Sequence, residues 1–215
     1  MATEHHASIG GESVVLLGER ALYRPTRQAL LISDLHLGKA DAFRRAGIGL
    51  PRGGTAHDLQ RLDGLLERHP VRQLWILGDV LHGAVFDAAW RGQWLQWRER
   101  HASLDVVVVR GNHDRVLQPA TLQLRDAGTQ ALEGGWLLRH DPVPSRDAHV
   151  VCGHLHPLCE LPGLRRRFPA FWLREGVTVL PAFSHFTAGV APLLTRGEQL
   201  VVCVEGDAVA LPVVR

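Results

Sequence analysis

Five short apolar runs, each stopping at residues able to bind a metal ion, constrain this 215-residue chain more than any other feature. Residues 29–32 end at Ser33-Asp34-Leu35-His36, and residues 74–77 end at Gly78-Asp79. Residues 106–109 run into Arg110-Gly111-Asn112-His113-Asp114, residues 136–138 lead to His140, and residues 149–152 to Gly153-His154-Leu155-His156. Short aliphatic and β-branched runs of this kind predict buried strands. In layered α/β folds the carboxyl ends of strands share one edge, where a site is assembled from several loops. Five endings scattered over more than a hundred residues can therefore meet.

The intervening sequence supports that architecture. Thr55-Ala-His-Asp58 resembles a capping box, and Leu59, Leu62, Leu65 and Leu66 follow at helical spacing, predicting a helix. A second helix is expected over residues 87–100. Its Trp90, Trp94 and Trp97 recur on one face; they could stack on bases, but the spacing is that of a core-facing stripe, the preferred reading. Residues 14–17 and 20–23 predict an opening hairpin, and residues 177–180, 200–204 and 208–213 make the C-terminal third β-rich, with a turn at Glu205-Gly206-Asp207. His5 and His6 are assigned to a frayed terminus. Strands alternating with helices predict the α/β class, as one domain over 1–215 with its motifs in 29–190.

Composition narrows the partners. A net charge of +2 is too small to announce a nucleic-acid binder, and no helix-turn-helix, zinc finger or long basic arm is visible. No apolar run approaches the ~18 residues of a membrane span. Three cysteines without a CxxC pair, and no secretory segment near Met1, make a reducing cytoplasm the expectation. Cys152 reads as a small inward-facing hydrophobe of its strand rather than a zinc ligand.

Four imidazoles (His36, His140, His154, His156), two carboxylates (Asp34, Asp79) and the Asn112 amide suit borderline to hard divalent ions such as Mn²⁺, Fe²⁺ or Zn²⁺ better than an all-oxygen Ca²⁺ or Mg²⁺ cage. Seven groups are too many for one tetrahedral zinc and suit two ions sharing a carboxylate. Asp34 and His36, two apart, can face the same side of an extended strand, as can His154 and His156. Each residue alone has a bland alternative: Asp34 and Asp79 as helix caps, His140 as a surface histidine. Together these alternatives are improbable. His82 can be a loop histidine or a substrate contact. Arg44, Arg45 and the Arg165-Arg166-Arg167 turn can be solvated charge or phosphate-binding groups.

The ordered motifs resemble those of the calcineurin-like metallophosphoesterase superfamily. That resemblance implies a four-layer αββα sandwich of mixed sheets with flanking helices. Carried over, one ion is held by Asp34, His36, Asp79 and His156, and the second by Asp79, Asn112, His140 and His154, with Asp79 bridging. His113 becomes the substrate-facing catalytic histidine, its ring held by Asp114. A narrower resemblance, carried by Ser33-Asp-Leu-His-Leu-Gly-Lys39, Phe43-Arg-Arg-Ala-Gly47 and Leu180-Pro-Ala-Phe183, is to the bacterial ligase-associated DNA damage response endonucleases. It implies manganese, DNA as substrate, and a DNA ligase and a helicase as functional partners. The expected chemistry is in-line attack of a metal-bound hydroxide on a phosphodiester, with His113 donating a proton to the leaving oxygen. Alternatives are a phosphomonoesterase or small-nucleotide hydrolase with the same metals and, from another class, a non-catalytic scaffold. The complete ligand set argues against the scaffold.

Overall fold

The structure, a computed structural model, describes residues 3–49, 53–83, 89–185 and 187–215. The chain opens on an antiparallel meander of β1 (His5–Ile9), β2 (Glu12–Leu17) and β3 (Ala21–Arg24). It continues through β4 (Ala29–Ile32), antiparallel to β3, into parallel β5 (Gln73–Leu77), β6 (Asp105–Val109) and the short β7 (Arg125–Asp126), which completes a seven-stranded mixed sheet in sequence order. The run at His5 and His6 is thus an edge strand paired with β2, not a frayed terminus. Its partners lie across a two-glycine turn, Gly10-Gly11, that a search for apolar runs passes over.

Helices α1 (Lys39–Arg45), α2 (Gly54–Arg68) and α3 (Ala89–Arg100) supply the crossovers between the parallel strands. Asp87, the expected start of α3, lies outside the described residues. The helix α2 begins one residue before Thr55, behind a left-handed Gly53, with no side-chain cap; Asp58 sits inside it, 3.2 Å from Arg61. The capping box is therefore replaced by a glycine entry and an i,i+3 ion pair. Leu59, Leu62 and Leu65 bury against the sheet together with Trp90, Trp94 and Trp97. The indole N–H groups of Trp94 and Trp97 donate to the Leu122 carbonyl and to Asp63 at 2.9 and 2.6 Å. The tryptophan face is core, as its spacing predicts, and each such side chain contributes ~1.5–3 kcal/mol by leaving water.

The second sheet contains β8 (Gln130–Glu133), β9 (Trp136–Arg139), β10 (His149–Cys152), β12 (Arg167–Arg174), β13 (Val177–Val179), β14 (Gln199–Val204) and β15 (Asp207–Ala210), in the order β15-β14-β12-β13-β10-β9-β8, with β11 (Leu158–Glu160) paired to β12. Its inward residues, among them Trp136, Leu138, Val151, Phe171 and Val201, interdigitate with Leu16, Leu31, Trp75 and Val107 of the first sheet. The resulting mixed α/β sandwich is the expected fold class. The outer layer of the second sheet differs from the expectation: among the described residues no α-helix follows Arg100. Two smaller apolar clusters, one centred on Phe168 and Val202 and one on Val150 and Val177, face that side beneath β11 and irregular chain. Among the described residues no helix is long and apolar enough to cross a membrane.

Candidate metal centre

Parallel pairing brings the five endings to one edge. Ile32 pairs with Ile76 and Leu77 with Val109, so the residues leaving β4, β5 and β6 emerge side by side. In the facing sheet Val151 pairs with Leu138, which places the exits of β10 and β9 together. Hydrogen bonds between the exits hold the alignment: Asp34 N–H to Gly78 O (3.2 Å), His36 N–H to Asp79 O (2.9 Å) and Gly153 N–H to His140 O (3.1 Å). Among the bonds that tie the two sheets together are His154 N–H to Asp34 Oδ2 (3.1 Å) and His140 Nδ1 to Leu77 O (3.0 Å).

Asp34 and His36 do not face one side through extended backbone. Nine non-glycine residues among those described have positive φ, and five belong to this set: Asp34 (53°), His36 (46°), Asp79 (48°), His154 (72°) and His156 (48°). A left-handed conformation costs an L-residue ~1–2 kcal/mol, so this concentration is a strain reservoir held by the surrounding hydrogen bonds. The glycines before the ligands serve close approach. A Cβ on Gly78 would lie 2.1 Å from His140 Nδ1, on Gly111 2.2 Å from Asp79 Oδ1, and on Gly153 2.5 Å from Asp34 Oδ2. Gly78→Ala, with φ at +84°, is therefore expected to lose on the order of 2–5 kcal/mol by overpacking and left-handed strain. It should also push the His140 ring off Leu77 O. Denaturant unfolding together with metal titration checks both effects, and a variant with unchanged stability and metal affinity would contradict this packing.

Asp34, His36 and His156 offer three ligand atoms within 4.8 Å of one another, as do Asp34, Asp79 and His140. His156 Nε2 and Asp34 Oδ1 are 3.0 Å apart, yet both remain without a hydrogen-bond partner, as do both ring nitrogens of His36. Buried polar atoms left unpaired are costly, so convergence without hydrogen bonding fits ligands aimed at a shared cation. His156 Nδ1 is 2.8 Å from Ala188 O, which keeps the proton on that side and leaves Nε2 a lone pair. Around His140 Nε2 gather Asn112 Oδ1 (3.0 Å), His154 Nδ1 (3.0 Å) and Asp79 Oδ2 (3.5 Å). With Nδ1 donating to Leu77 O, a neutral His140 turns its Nε2 lone pair toward these three groups, an arrangement that a cation in the middle would satisfy. Asp34 approaches this ring only at the committed Nδ1, 4.0 Å away. Asp79 is thus the carboxylate that serves Nε2.

Two carboxylates make the His140 end of the site strongly negative and draw positive charge to it. Burial works to lower the His140 pKa, but the Asp79 hydrogen bond and the charges of Asp34 and Asp79 prevail and raise it to about 9. Burial likewise opposes ionisation of Asp79, but His140 and the His113 amide hold it down to about 2. His36 is held near 3, chiefly by burial, and so is neutral, as a ligand must be.

His113 stands apart from these groupings. Its backbone N–H donates to Asp79 Oδ1 at 2.9 Å, whereas its ring, 43% exposed, faces outward with Nε2 4.0 Å from Asp79 Oδ2. The expected Asp114 bond to this ring is not made. Asp114 is buried and accepts from the Gly111 and Leu81 amides at 2.9 and 3.1 Å, so it fixes the loop rather than the imidazole. Burial raises its pKa, with the two amides acting in the opposite direction. His82 does reach the site: its ring stacks on His113 at 12° and 5.9 Å and lies 5.5 Å from His36 and from Phe43. The arginines separate. Arg44, on α1 with Arg45, pairs with Asp41 and lines a different cleft beside Trp90. Arg165 is exposed, Arg166 pairs with Glu205 and covers Phe168, and only Arg167 borders a cleft shared with a candidate ligand, His156. Sequence reasoning overlooked the carbonyls of Leu77 and Ala188 that set the two tautomers, because backbone acceptors leave no residue-type signal.

The chain belongs to the calcineurin-like phosphoesterase family, whose model matches residues 28–200, a span that contains all seven candidate ligands and His113. It is accordingly a metal-dependent phosphoric ester hydrolase. Among solved structures it is similar to the nuclease MPE of Pseudomonas putida, at 34% identity over 97% of this chain and 100% of that one, with a TM-score of 0.84. A protein of unknown function from Aquifex aeolicus, AQ665, aligns over 64% of this chain and 82% of its own at 17% identity, with a TM-score of 0.42. No curated protein matches the sequence.

Proposed function

We propose that the protein is a dinuclear-metal phosphodiesterase that cleaves DNA. The observation that carries the dinuclear reading is a pair of converging donor clusters, one at His36, His156 and Asp34 with buried atoms left unpaired, the other gathered around His140 Nε2 from His154, Asn112 and Asp79. Asp34, His36, His156 and Asp79 would hold one cation, and Asp79, Asn112, His140 and His154 the other, with manganese the preferred ion. When bound, such a pair supplies an acidified water and positive charge against the phosphoryl oxygens. The remaining work falls to side chains. His113, open to solvent and held by the loop that Asp114 braces, is placed to hand a proton to the leaving oxygen. His82 supports that ring from behind by stacking.

The nuclease reading draws on the 34% identical nuclease and on the sequence resemblance, which also suggests a role beside a DNA ligase and a helicase in repair. Metal-stripped protein supplied in turn with Mn²⁺, Zn²⁺ or Mg²⁺ should hydrolyse a bis-aryl phosphate diester and single-stranded DNA, fastest with Mn²⁺. Strong preference for an aryl phosphate monoester, with DNA untouched, would make it a monoesterase instead.

A further inference from the structure

A cleft of about 270 Å³ opens directly beside His156, between the two sheets, and the roles above leave it unassigned. Besides His156, its polar walls are Arg20, Arg167, His185 and Thr187, and Pro157 and Pro169 form part of its apolar lining. Arg20 stands in the turn between β2 and β3 with φ at +70° and reaches to the opposite sheet, where Nη1 donates to Ser184 O (3.0 Å) and Ala182 O (3.5 Å). Among the described residues no carboxylate lies within ion-pair distance of it. The nearby acid, Asp58, is already paired with Arg61 at 3.2 Å. Burial lowers the Arg20 pKa, but the group stays charged in any physiological range. Arg167 meets Glu160 only through Nε, at 2.8 Å, in a pair with side chains 53% and 63% exposed. Such a pair holds its partners weakly, leaving the rest of the guanidinium available. Two guanidiniums lining one cleft beside a phosphoesterase centre, one without an ion pair of its own and the other only loosely paired, favour an anion there.

We infer that this cleft binds the phosphate next to the scissile one along a nucleic-acid strand, with Arg20 and Arg167 as its forks and the proline rings against the adjoining sugar. The volume falls just below the ~300 Å³ at which pockets for whole drug-sized ligands begin, which suits a single nucleotide unit. The site would give an oligonucleotide an advantage over a small diester, which has no second phosphate. This inference rests on the diesterase reading and adds two specificity-determining residues to it.

The test compares Arg20→Gln and Arg167→Gln with the parent protein by two measurements. The first is anisotropy of a labelled oligonucleotide on metal-stripped protein over a salt series. The second is kcat/KM, with Mn²⁺ restored, on the oligonucleotide and on a bis-aryl phosphate diester. Each substitution should flatten the log–log salt dependence by about 0.7, the amount for one phosphate of a single strand. Each should also lower oligonucleotide kcat/KM about tenfold more than that of the small diester. Equal losses on both substrates with an unchanged salt slope would mean that Arg20 merely props the Ala182–Ser184 segment, and the inference would fall. Variants indistinguishable from the parent protein would likewise overturn it. If the parent protein hydrolyses no diester at all with any of the metals, the functional reading fails first and this inference with it.

Discussion

Asp34→Ala is expected to empty the centre of metal and to lower diester turnover by more than ~10³-fold. Loss of a single fixed electrostatic group from an active site costs ~10²–10³, and loss of the cations that neutralise the phosphoryl oxygens costs more. Asp34 has this leverage because its two oxygens act on different halves of the site. Oδ1 faces His156 Nε2 at 3.0 Å, while Oδ2 accepts the His154 amide at 3.1 Å and so fixes the chain that carries both C-terminal histidines. Removing the carboxylate therefore takes a ligand from one focus and the anchor from the other. It also creates space beside Gly153, whose hydrogen now packs against Oδ2. Elemental analysis after dialysis, with circular dichroism to verify the fold, should show fewer metal equivalents in a folded protein. Full metal retention would mean that the foci are held by other groups.

Much of this was legible in the sequence, and the reason is topological. A strand announces itself through a local apolar run, and parallel neighbours place their carboxyl ends on the same edge, so β4, β5, β6, β9 and β10 deliver their trailing residues to one place. The way the ligands turn inward was not legible. Asp34, His36, Asp79, His154 and His156 adopt left-handed backbone, which Asp and His enter more often than most residues but still too rarely to be foreseen at a given position, and the tertiary bonds that hold it, such as His36 N–H to Asp79 O, join residues far apart in sequence. The same blindness to distant partners explains Asp114. Adjacency suggests a bond to the His113 ring, but its carboxylate finds two backbone amides, one of them Leu81 on a different loop. Arg20 was equally invisible, because it sits in a hairpin turn more than a hundred residues from the segment it reaches.

His113→Ala should behave in the opposite way to Asp34→Ala: both metals kept, turnover of DNA reduced by ~10²–10⁴, the range for loss of a positioned general acid. Metal retention follows from geometry. The hydrogen bond that His113 donates to the ligand set is its backbone N–H to Asp79 Oδ1, and alanine preserves it; its ring comes no nearer than 4.0 Å to Asp79 Oδ2 and packs edge-on to His36. The ring itself is 43% exposed, so its removal leaves no buried cavity, only His82 unstacked and His36 without an edge contact. A further comparison separates proton donation from general electrostatics. An aryl leaving group of low pKa needs no proton, whereas the alkoxide departing from DNA does. The loss on a bis-nitrophenyl diester should therefore be much smaller than the loss on DNA. Equal losses on both substrates would make the ring a charge-stabilising contact rather than an acid. Metal lost along with activity would place His113 among the ligands, and the count of groups around each focus would have to be redrawn.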